Sequence, residues 1–585
     1  MANDRGVQEA GEELCRFLDP KGLLNTKKGP RRPLVILAFD ESHILTDNPK
    51  SAGWTLFSEL RRTLRGIVDQ AIFSLFLSTA GRFQLFSPRI QADSSGRVTN
   101  SSLHPIDPIT EISFDDLAFK AKENTVSLDR VVETDWISHL GRPLYDHFSY
   151  FFHEQLLTQV LGRFGAYYDA LTHNKEELFL FARQKLLNGW SSLVDKDDKD
   201  PGPRIFACLS VRFALEFNAD SVSREVQCAQ VERHMRLCIA VTTGFERLVT
   251  LAGSEPLLAE AASQLIHDSK VSPVHHLAYH SDLNCIDRGR RGELVAELIV
   301  MQARDAAALT SENGRWVSVC DFIRALLPES SYDSLQSSLP IFWRVGEDRP
   351  FTETFENYAI WFNHVIRAED RQLINSKFLW TFITRGAMLS CPHNQEGVDI
   401  VLHICLKNET LSRDNVSAIL IQVKNAQRFK CNIDKELFDR MDPFWVGLFN
   451  NGSSARPVIR MVFALASDEA GVLFPTQPIR GSAHVGNFTA FDIWCAGLKS
   501  FKNIEGDFDA YTKLLDRSLY PHDTFKLEET TDRHLDKATK AAREQGRRRM
   551  AALIRSDIGH RQIHEDDKPK EGEEESGSTP AGSVV

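Results

Sequence analysis

The chain has 585 residues and a formal net charge of −11, from 80 acidic and 69 basic side chains. This acidic balance excludes a protein whose whole surface attracts polyanions, so any nucleic acid would have to contact a local basic patch. The ten cysteines include no CxxC pair, and no window is apolar enough to predict a membrane span. We therefore expect an intracellular protein of several domains, in the cytoplasm or the nucleus, without a membrane segment.

The first apolar runs predict the opening of a parallel α/β sheet. After a polar segment at residues 1–30, "LVILAFDESHIL" (residues 34–45) and "AIFSLFLSTAGRF" (residues 71–83) are typical of buried strands. The stretch between them, "GWTLFSELRRTLRGIVDQ", has apolar residues at helical spacing. Strand, helix and strand in this order predict a parallel arrangement within residues 31–112.

The rest of the chain divides into three predicted regions. Residues 113–335 predict a large helical extension, with stretches such as "VERHMRLCIAVTTGFERLVTLA" and "GELVAELIVMQARDAAAL". Residues 340–525 begin with a predicted amphipathic helix, "TETFENYAIWFNHVIRAE". Three strands, a short helix and further strands follow it. Residues 526–585 predict a charged helix that leads into an acidic, disordered tail.

Polar residues at the ends of the first two strands are typical of a nucleotide-binding site. In P-loop ATPases an aspartate after a strand holds Mg²⁺, a glutamate polarises water, the next strand ends in a polar sensor, and arginines contact phosphates. The residues with these expected roles are Asp40, Glu41, Ser78, Thr79, Arg82 and Arg142.

The phosphate-binding half of such a site is missing from the sequence. No G-x-x-x-x-G-K-[ST] motif occurs, so the backbone cradle and its lysine are absent, which argues against ATP as a cofactor of this chain. Two explanations remain open: the chain lacks the first strand and loop of an ATPase, or the fold is a degenerate scaffold. "DESH" also matches the DExH box of helicases. A buried strand that ends in an acidic turn is the structural alternative.

A second group of polar residues interrupts two apolar runs near the middle of the 340–525 region. "GVDIVLHICL" carries Asp399, and "AILIQVKNAQ" carries Gln422 and Lys424, which share one face of a strand because they are two positions apart. Asp399 joins them if the two strands pair. A carboxylate and an amide oxygen suit Mg²⁺, and the lysine would orient an attacking water and stabilise charge on a phosphate. The structural alternative is a strand pair at the edge of the sheet, whose polar residues prevent pairing with another chain.

This pattern, behind a helix that carries glutamates, resembles the PD-(D/E)xK fold of restriction endonucleases over about residues 345–500. The resemblance implies Mg²⁺-dependent DNA cleavage, a metal-dependent phosphodiesterase activity. Asp399 and Gln422 would be metal ligands, Lys424 would lie beside the attacking water, and Glu356 would be the helix glutamate. Gln422 departs from the usual glutamate, because an amide oxygen ligates a metal without bringing negative charge.

Four segments together, "AFDESHIL", "GRPLYDHF", "EGVDIVL" and "AILIQVKN", are similar to Crinkler-type NTPase–nuclease proteins of mushroom-forming fungi. The resemblance implies an effector or genome-conflict protein that acts on DNA. The alternative is a catalytically inactive module that binds DNA or protein partners and keeps both folds. The expected fold class is α/β: a truncated P-loop-type parallel sheet with a large helical extension, then a restriction-endonuclease-like α/β domain and the charged tail.

Overall fold

The strands that follow residue 317 pair into one mixed sheet in the computed structural model. The chain divides into residues 1–519 and 520–585, and every described residue falls in the first of these units. The structure describes residues 3–21, 33–40, 42–46, 55–77, 86, 114–116, 118–142, 175–195, 200–217, 221–241, 248–279, 291–311, 314–368, 370–392, 395–450, 456–475 and 487–519. The predicted tail at residues 526–585 lies outside the described residues.

The described α-helices are α1 (Asn3–Leu18), α2 (Leu56–Leu64), α3 (Leu128–Val131), α4 (Thr134–Ser138), α5 (Lys175–Leu186), α6 (Gly202–Phe213), α7 (Ser221–Arg233), α8 (Pro256–Asp268), α9 (Pro273–Tyr279), α10 (Arg291–Thr310), α11 (Val319–Leu326), α12 (Glu329–Gln336), α13 (Phe351–Phe355), α14 (Ser376–Arg385), α15 (Lys435–Asp439) and α16 (Phe508–Leu519). The described strands are β1 (Val35–Phe39), β2 (Ile72–Phe76), β3 (Leu237–Val241), β4 (Leu248–Leu251), β5 (Val317–Ser318), β6 (Tyr358–Ile360), β7 (His364–Arg367), β8 (Ala387–Ser390), β9 (Ile400–Leu406), β10 (Val416–Lys424), β11 (Val458–Ala464), β12 (Gly471–Leu473) and β13 (Ala490–Ala496).

The large sheet has the order β12-β13-β11-β10-β9-β6-β5, and β8 pairs with both β9 and β7. Strand β9 is antiparallel to both of its neighbours β8 and β10, whereas β10, β11 and β13 run parallel. The short helix α15 lies between β10 and β11 in the chain. The predicted succession of three strands, a helix and further strands after residue 386 is therefore confirmed, and the fold is of the mixed α/β class.

The central strands form because their sequences are rich in β-branched and other apolar residues. Every residue of β11 and β13 is buried, and β9 is buried except at its last residue. Strands covered on both faces need such continuous apolar runs. Helix α14 leads into β8 with a cap at each end: the Asn375 side chain accepts from the Lys377 N–H, and Gly386 ends the helix at a φ of 61°.

The predicted amphipathic helix over "TETFENYAIWFNHVIRAE" is wrong. Only Phe351–Phe355 is helical, and the residues after it form β6 and β7. The helix that directly precedes the three strands is α14 instead. The reason is tertiary: Tyr358–Ile360 pairs with the end of β9, and a strand that completes a sheet outweighs a helical spacing of apolar residues.

The predicted helix over "VERHMRLCIAVTTGFERLVTLA" is wrong beyond Arg233. Leu237–Val241 and Leu248–Leu251 are strands that pair antiparallel as a separate two-stranded sheet. The runs "LCIAV" and "LVTL" carry β-branched residues that favour strands. The predicted helix over "GELVAELIVMQARDAAAL" is confirmed as α10.

One hydrophobic core runs through both the helical region and the sheet. Buried side chains from Leu128 to Leu515 form a single cluster, and helix α10 packs against strand β10. The core is therefore continuous across residue 340. None of the helices in the described part of the chain is long and apolar enough to span a bilayer.

Candidate functional site

Asp399 lies between two strands at the point where β9 begins. Its N–H donates to the Ile421 carbonyl over 2.9 Å, and its carbonyl accepts from the Cys391 N–H over 2.8 Å. Its side-chain Oδ2 accepts from the N–H of Val423 over 2.6 Å. The backbones of β8 and β10 therefore fix both the main chain and the carboxylate of Asp399.

Gln422 and Lys424 lie on the neighbouring strand, on either side of Val423. Gln422 is 4% exposed, and its Oε1 has no hydrogen-bond partner among the described residues. Leaving a buried amide oxygen without a partner is costly unless the site is completed by a ligand or water. Lys424 is half-buried and ends the strand. The two side chains share a face, as the spacing predicts.

The Asp399 carboxylate and the Lys424 ammonium each act on the pKa of the other. Burial raises the pKa of the Asp399 carboxyl, while the Val423 N–H and the Lys424 ammonium act in the opposite direction. Burial lowers the pKa of Lys424. The Asp399 charge opposes this shift, and the Arg440 and Arg428 cations add to it. Strands β9 and β10 pair antiparallel, so Asp399 and Lys424 lie on neighbouring strands.

Gly397 explains how the chain approaches Asp399. Its φ is 88°, a region that residues with a side chain rarely adopt, and a Cβ atom there would overlap the backbone carbonyl of Arg440. The segment after α15 therefore packs directly on the turn before β9. This contact places Arg440, whose guanidinium lies 3.9 Å from Glu396, next to the site.

The structure does not bring Glu356 to this cluster. Glu356 is exposed and follows helix α13, two residues before Tyr358, which pairs with Leu406. Leu406 is the last residue of β9, whereas Asp399 precedes the first. A strand of this length separates the two ends by roughly 20 Å at about 3.4 Å per residue. The expected role of Glu356 as the helix glutamate therefore has no geometric basis.

Glu293 on helix α10 is an acidic residue whose charge acts beside Asp399, which its position in the sequence did not predict. Gly292 lies so close to β10 that a Cβ atom there would overlap the side-chain amide of Asn425, the residue after Lys424. Burial raises the pKa of the Cys391 thiol well above its ordinary value, and the charges of Asp399 and Glu293 raise it further. Both carboxylates therefore act on the thiol of Cys391. The backbone N–H of the same residue donates to the Asp399 carbonyl.

A signal for this helix was present in the sequence. "GELVAELIV" is apolar except for Glu293 and Glu297, which lie four residues apart and so on one side of a helix. Glu297 is 0% exposed. Carboxylates are rarely buried in an apolar helix unless a partner or a function holds them there.

The oxygen atoms at this site fit a hard divalent cation in part. Asp399 and Gln422 would supply one carboxylate and one amide oxygen. Mg²⁺ is commonly bound through one or two carboxylates, with waters and substrate phosphates as its other ligands. The orphaned Oε1 of Gln422 is the observation that favours this fit. Within the described residues, no group of three or more His, Cys, Asp or Glu side chains is arranged to hold a metal.

The predicted nucleotide-site residues are only partly described. Strands β1 and β2 pair in parallel, with helix α2 between them in the chain, so the predicted strand–helix–strand order is confirmed. Asp40 follows β1 and is exposed. Glu41, Ser78, Thr79 and Arg82 lie outside the described residues.

Arg142 has a structural partner of its own. Its guanidinium donates to both carboxylate oxygens of Glu255, over 3.0 and 2.6 Å, and to the carbonyl of Met235. Glu255 is 1% exposed, so this is a buried ion pair with satisfied geometry. An arginine held in this way is occupied by the protein itself, which disfavours the expected phosphate contact.

Comparisons with known proteins identify one matching family. A family model described as a domain of unknown function (DUF8736) matches residues 202–439. No curated protein and no solved structure matches the chain. The matched range contains Glu293, Asp399, Gln422 and Lys424, and it leaves out strands β1 and β2. The candidate site therefore lies within the segment that this family model describes.

Proposed function

We propose that this chain is a Mg²⁺-dependent DNA endonuclease of the PD-(D/E)xK type, in which Asp399, Gln422 and Lys424 form the reactive cluster. The observation that carries the proposal is the buried, unpartnered Oε1 of Gln422, on the strand that also carries Lys424 and whose backbone holds the Asp399 carboxylate. A carboxylate, an amide oxygen and an amine meeting at the ends of two paired strands suit metal-assisted hydrolysis of a phosphodiester.

The order of elements around the cluster supports the fold assignment. Helix α14 is followed by three antiparallel strands, helix α15 and a strand parallel to β10. In this arrangement the acidic residue begins the second strand, and the Gln-x-Lys pair ends the third. These are the positions that the resemblance to restriction endonucleases implies. Glu293 on α10 takes the place that the resemblance gave to Glu356.

The chain's own residues would divide the chemical work. Asp399 and Gln422 would hold Mg²⁺, which when bound supplies charge stabilisation for the phosphate. Lys424 would orient the attacking water and stabilise negative charge on the phosphate oxygens. Burial lowers the pKa of Lys424, which makes its amine easier to deprotonate than that of an exposed lysine. Glu293 would add negative charge on the helix side of the cluster.

The remaining expectations belong to the same proposal. A DNA substrate places the protein inside the cell, in the nucleus or the cytoplasm. The parallel pair β1–β2, with Asp40 at its edge, would be the remnant of a P-loop ATPase module. A degenerate ATPase module joined to a nuclease module is the architecture of Crinkler-type proteins. A role as an effector or in genome conflict follows from that similarity.

A plasmid-nicking assay tests the proposal. Supercoiled DNA is incubated with the full chain in Mg²⁺ or in EDTA, and the wild type is compared with Asp399→Ala and Lys424→Ala. The exposed residues Asp414 and Lys435 provide matched controls as Asp414→Ala and Lys435→Ala. We expect Mg²⁺-dependent nicking that the first two variants lose and the controls keep. Equal nicking in all five proteins, or none in any, would remove the enzymatic claim.

Gln422→Glu offers a further arm of the same experiment. It supplies the carboxylate that the usual motif carries, so metal binding should tighten and nicking should increase at low Mg²⁺ concentration. Binding can be followed independently of cleavage, by the shift in melting temperature on adding Mg²⁺. A variant that neither binds Mg²⁺ more tightly nor nicks faster would count against Gln422 as a ligand.

A second candidate function is DNA binding without cleavage. Arg428 and Arg440 both lower the pKa of Lys424, so the three cations belong to one basic region. The missing charge at Gln422 and the hydrogen bond that occupies Oδ2 of Asp399 favour this reading. Metal-independent binding that weakens steeply with salt, and that Arg428→Gln and Arg440→Gln weaken further, would select it.

A further inference from the structure

A second reactive cluster lies away from Asp399, where the turn between β4 and α8 meets the start of β7. Ser254 lies in this turn and is half-buried. Its Oγ lies 2.8 Å from Nε2 of His364, and Nδ1 of His364 lies 2.8 Å from Oδ1 of Asn363. His364 and Asn363 are both 0% exposed. A hydroxyl, an imidazole and an amide oxygen therefore form one continuous line.

The direction of each hydrogen bond in this line is fixed by its neighbours. The Nδ2 group of Asn363 donates to the Pro256 carbonyl and to Glu260, so its Oδ1 is the atom that faces His364. Oδ1 only accepts, so Nδ1 of His364 must carry the proton. In a neutral ring Nε2 is then an acceptor, and the Ser254 hydroxyl donates to it. This tautomer is the one that lets histidine take a proton from a serine.

The neutral state of the ring also has a physical cause. Burial lowers the pKa of His364 to about 3, and the Arg385 and Arg212 cations lower it in the same direction. The imidazole therefore carries no proton on Nε2 at ordinary pH. Burial and the two cations also oppose transfer of the serine proton to the ring, and the Glu260 carboxylate, reached through Asn363, would offset part of this cost.

Arg385 joins Ser254 to Asp115, whose carboxylate its NH1 group contacts over 2.5 Å. Its Nε donates to Oγ of Ser254 over 2.9 Å, and its NH2 group donates to the Ser254 carbonyl over 2.6 Å. An adjacent cation favours the ionised form of a hydroxyl. Oγ thus has its hydrogen directed at His364 and one lone pair directed at Arg385. Neither hydrogen bond uses the second lone pair of Oγ.

We propose that Ser254 is a nucleophile activated by His364 and Asn363, in a site that takes an acyl ester. The Oγ atom would attack the ester carbonyl carbon while its proton passes to Nε2 of His364. The alcohol would leave with that proton, and water would then release the acid by the same two steps in reverse. Atoms and electrons balance as ester plus water giving acid plus alcohol. This site is independent of the proposed nuclease cluster.

A fluorophosphonate probe tests the nucleophile directly in the full chain. Attack by Oγ forms a P–O bond and expels fluoride, and peptide mapping then locates the label. Ser192 is the matched control, because it is half-buried but its hydroxyl donates to the Val194 carbonyl and not to a histidine. We expect Ser254 to be labelled at least about 100-fold faster than Ser192, the range of general-base assistance.

The variants assign the role of each group. Ser254→Ala should abolish the label, Ser192→Ala should leave it unchanged, and His364→Gln should slow it about 100-fold. If His364→Gln does not fold, the ratio of the labelling rates of Ser254 and Ser192 in the wild type still tests the proposal. A ratio near one in the folded wild type, or equal labelling of wild type and a folded His364→Gln, would overturn the proposal.

Discussion

The carboxylate of Asp399 accepts a hydrogen bond from the N–H of Val423, the residue between Gln422 and Lys424. The acid is therefore held by the backbone of the strand that carries its two polar neighbours. Val423 contributes only its main chain to this hydrogen bond, and its side chain packs against the hydrophobic core. The geometry of the cluster depends on the pairing of β9 with β10 more than on contacts between the side chains themselves.

The helix glutamate can be assigned by comparing Glu293→Gln with Glu356→Gln. Glu293 acts on the same thiol as Asp399, whereas Glu356 lies by the far end of β9. We expect Glu293→Gln to lower Mg²⁺-dependent nicking about 10-fold or more, as substitutions that surround a metal site commonly do, and Glu356→Gln to leave it unchanged. The same plasmid assay measures both. The reverse order of the two variants would contradict the assignment.

Gly397→Ala should destabilise the protein much more than Gly346→Ala does. Both glycines have a positive φ, of 88° and 85°, so alanine costs about 1 kcal/mol or more at either position. At 397 the new Cβ atom also meets the Arg440 carbonyl, whereas nothing lies within 4 Å at 346. We expect a total loss on the order of 3 kcal/mol at 397.

Urea unfolding of the two glycine variants measures the difference. Gly397→Ala should also reduce nicking, because relief of the overlap would move the turn that leads into Asp399. Equal losses of unfolding free energy in the two variants would mean that the segment after α15 does not press on this turn.

The buried ion pair between Arg460 and Asp492 joins strands β11 and β13. The guanidinium donates to both carboxylate oxygens over 2.7 Å, and both side chains are almost fully buried. Asp492→Ala leaves the arginine charge buried without its partner, so we expect a loss of about 3–5 kcal/mol in unfolding free energy. Chemical denaturation measures it. Glu329→Ala, which breaks an exposed pair with Lys502, should change the unfolding free energy far less.

The strands of the sheet were predictable because their sequences carry the signal locally. Runs such as "IVLHICL" and "AILIQVK" are too apolar and too rich in β-branched residues for a surface, and the sheet buries them. The pairing of β9 with β10, which places Asp399 beside the strand of Lys424, followed from the same local pattern. The strand at Tyr358 was not predictable in this way, because its apolar residues suit a helix as well as a strand. Only its pairing with β9 selects the strand.

The acidic residue at the site lay beyond what spacing alone predicts. Glu293 comes from a helix far earlier in the chain, and its charge acts on Cys391, as that of Asp399 does, because α10 packs on β10. The same holds for Ser254 and His364, which lie on elements that meet through tertiary packing alone. A local pattern predicts which strand carries a polar residue. Contacts between distant segments depend on tertiary packing, which a local pattern does not contain.

His403 gives the protein a stability that depends on pH with a predictable sign. The ring is buried and stacks on Phe382 with ring centroids 5.3 Å apart. Its Nε2 has no hydrogen-bond partner among the described residues. Burial lowers the pKa of His403 to about 3, and a hydrogen bond to the Ala387 backbone only partly opposes this. The ring therefore stays neutral in the folded protein under conditions where it is protonated after unfolding.

Acid should consequently weaken the fold through His403. The unfolded ring gains a proton below pH 6.5 and the folded ring does not, so the stabilisation is complete above this pH and falls as the pH drops toward 3. Between pH 6.5 and pH 5 the loss amounts to about 2 kcal/mol, at about 1.4 kcal/mol per pH unit. His403→Phe keeps the stacking but has no proton to gain. Urea unfolding at pH 7 and pH 5 should therefore give a wild-type loss about 2 kcal/mol larger than that of the variant, and equal losses would mean that the His403 ring is protonated in the folded protein.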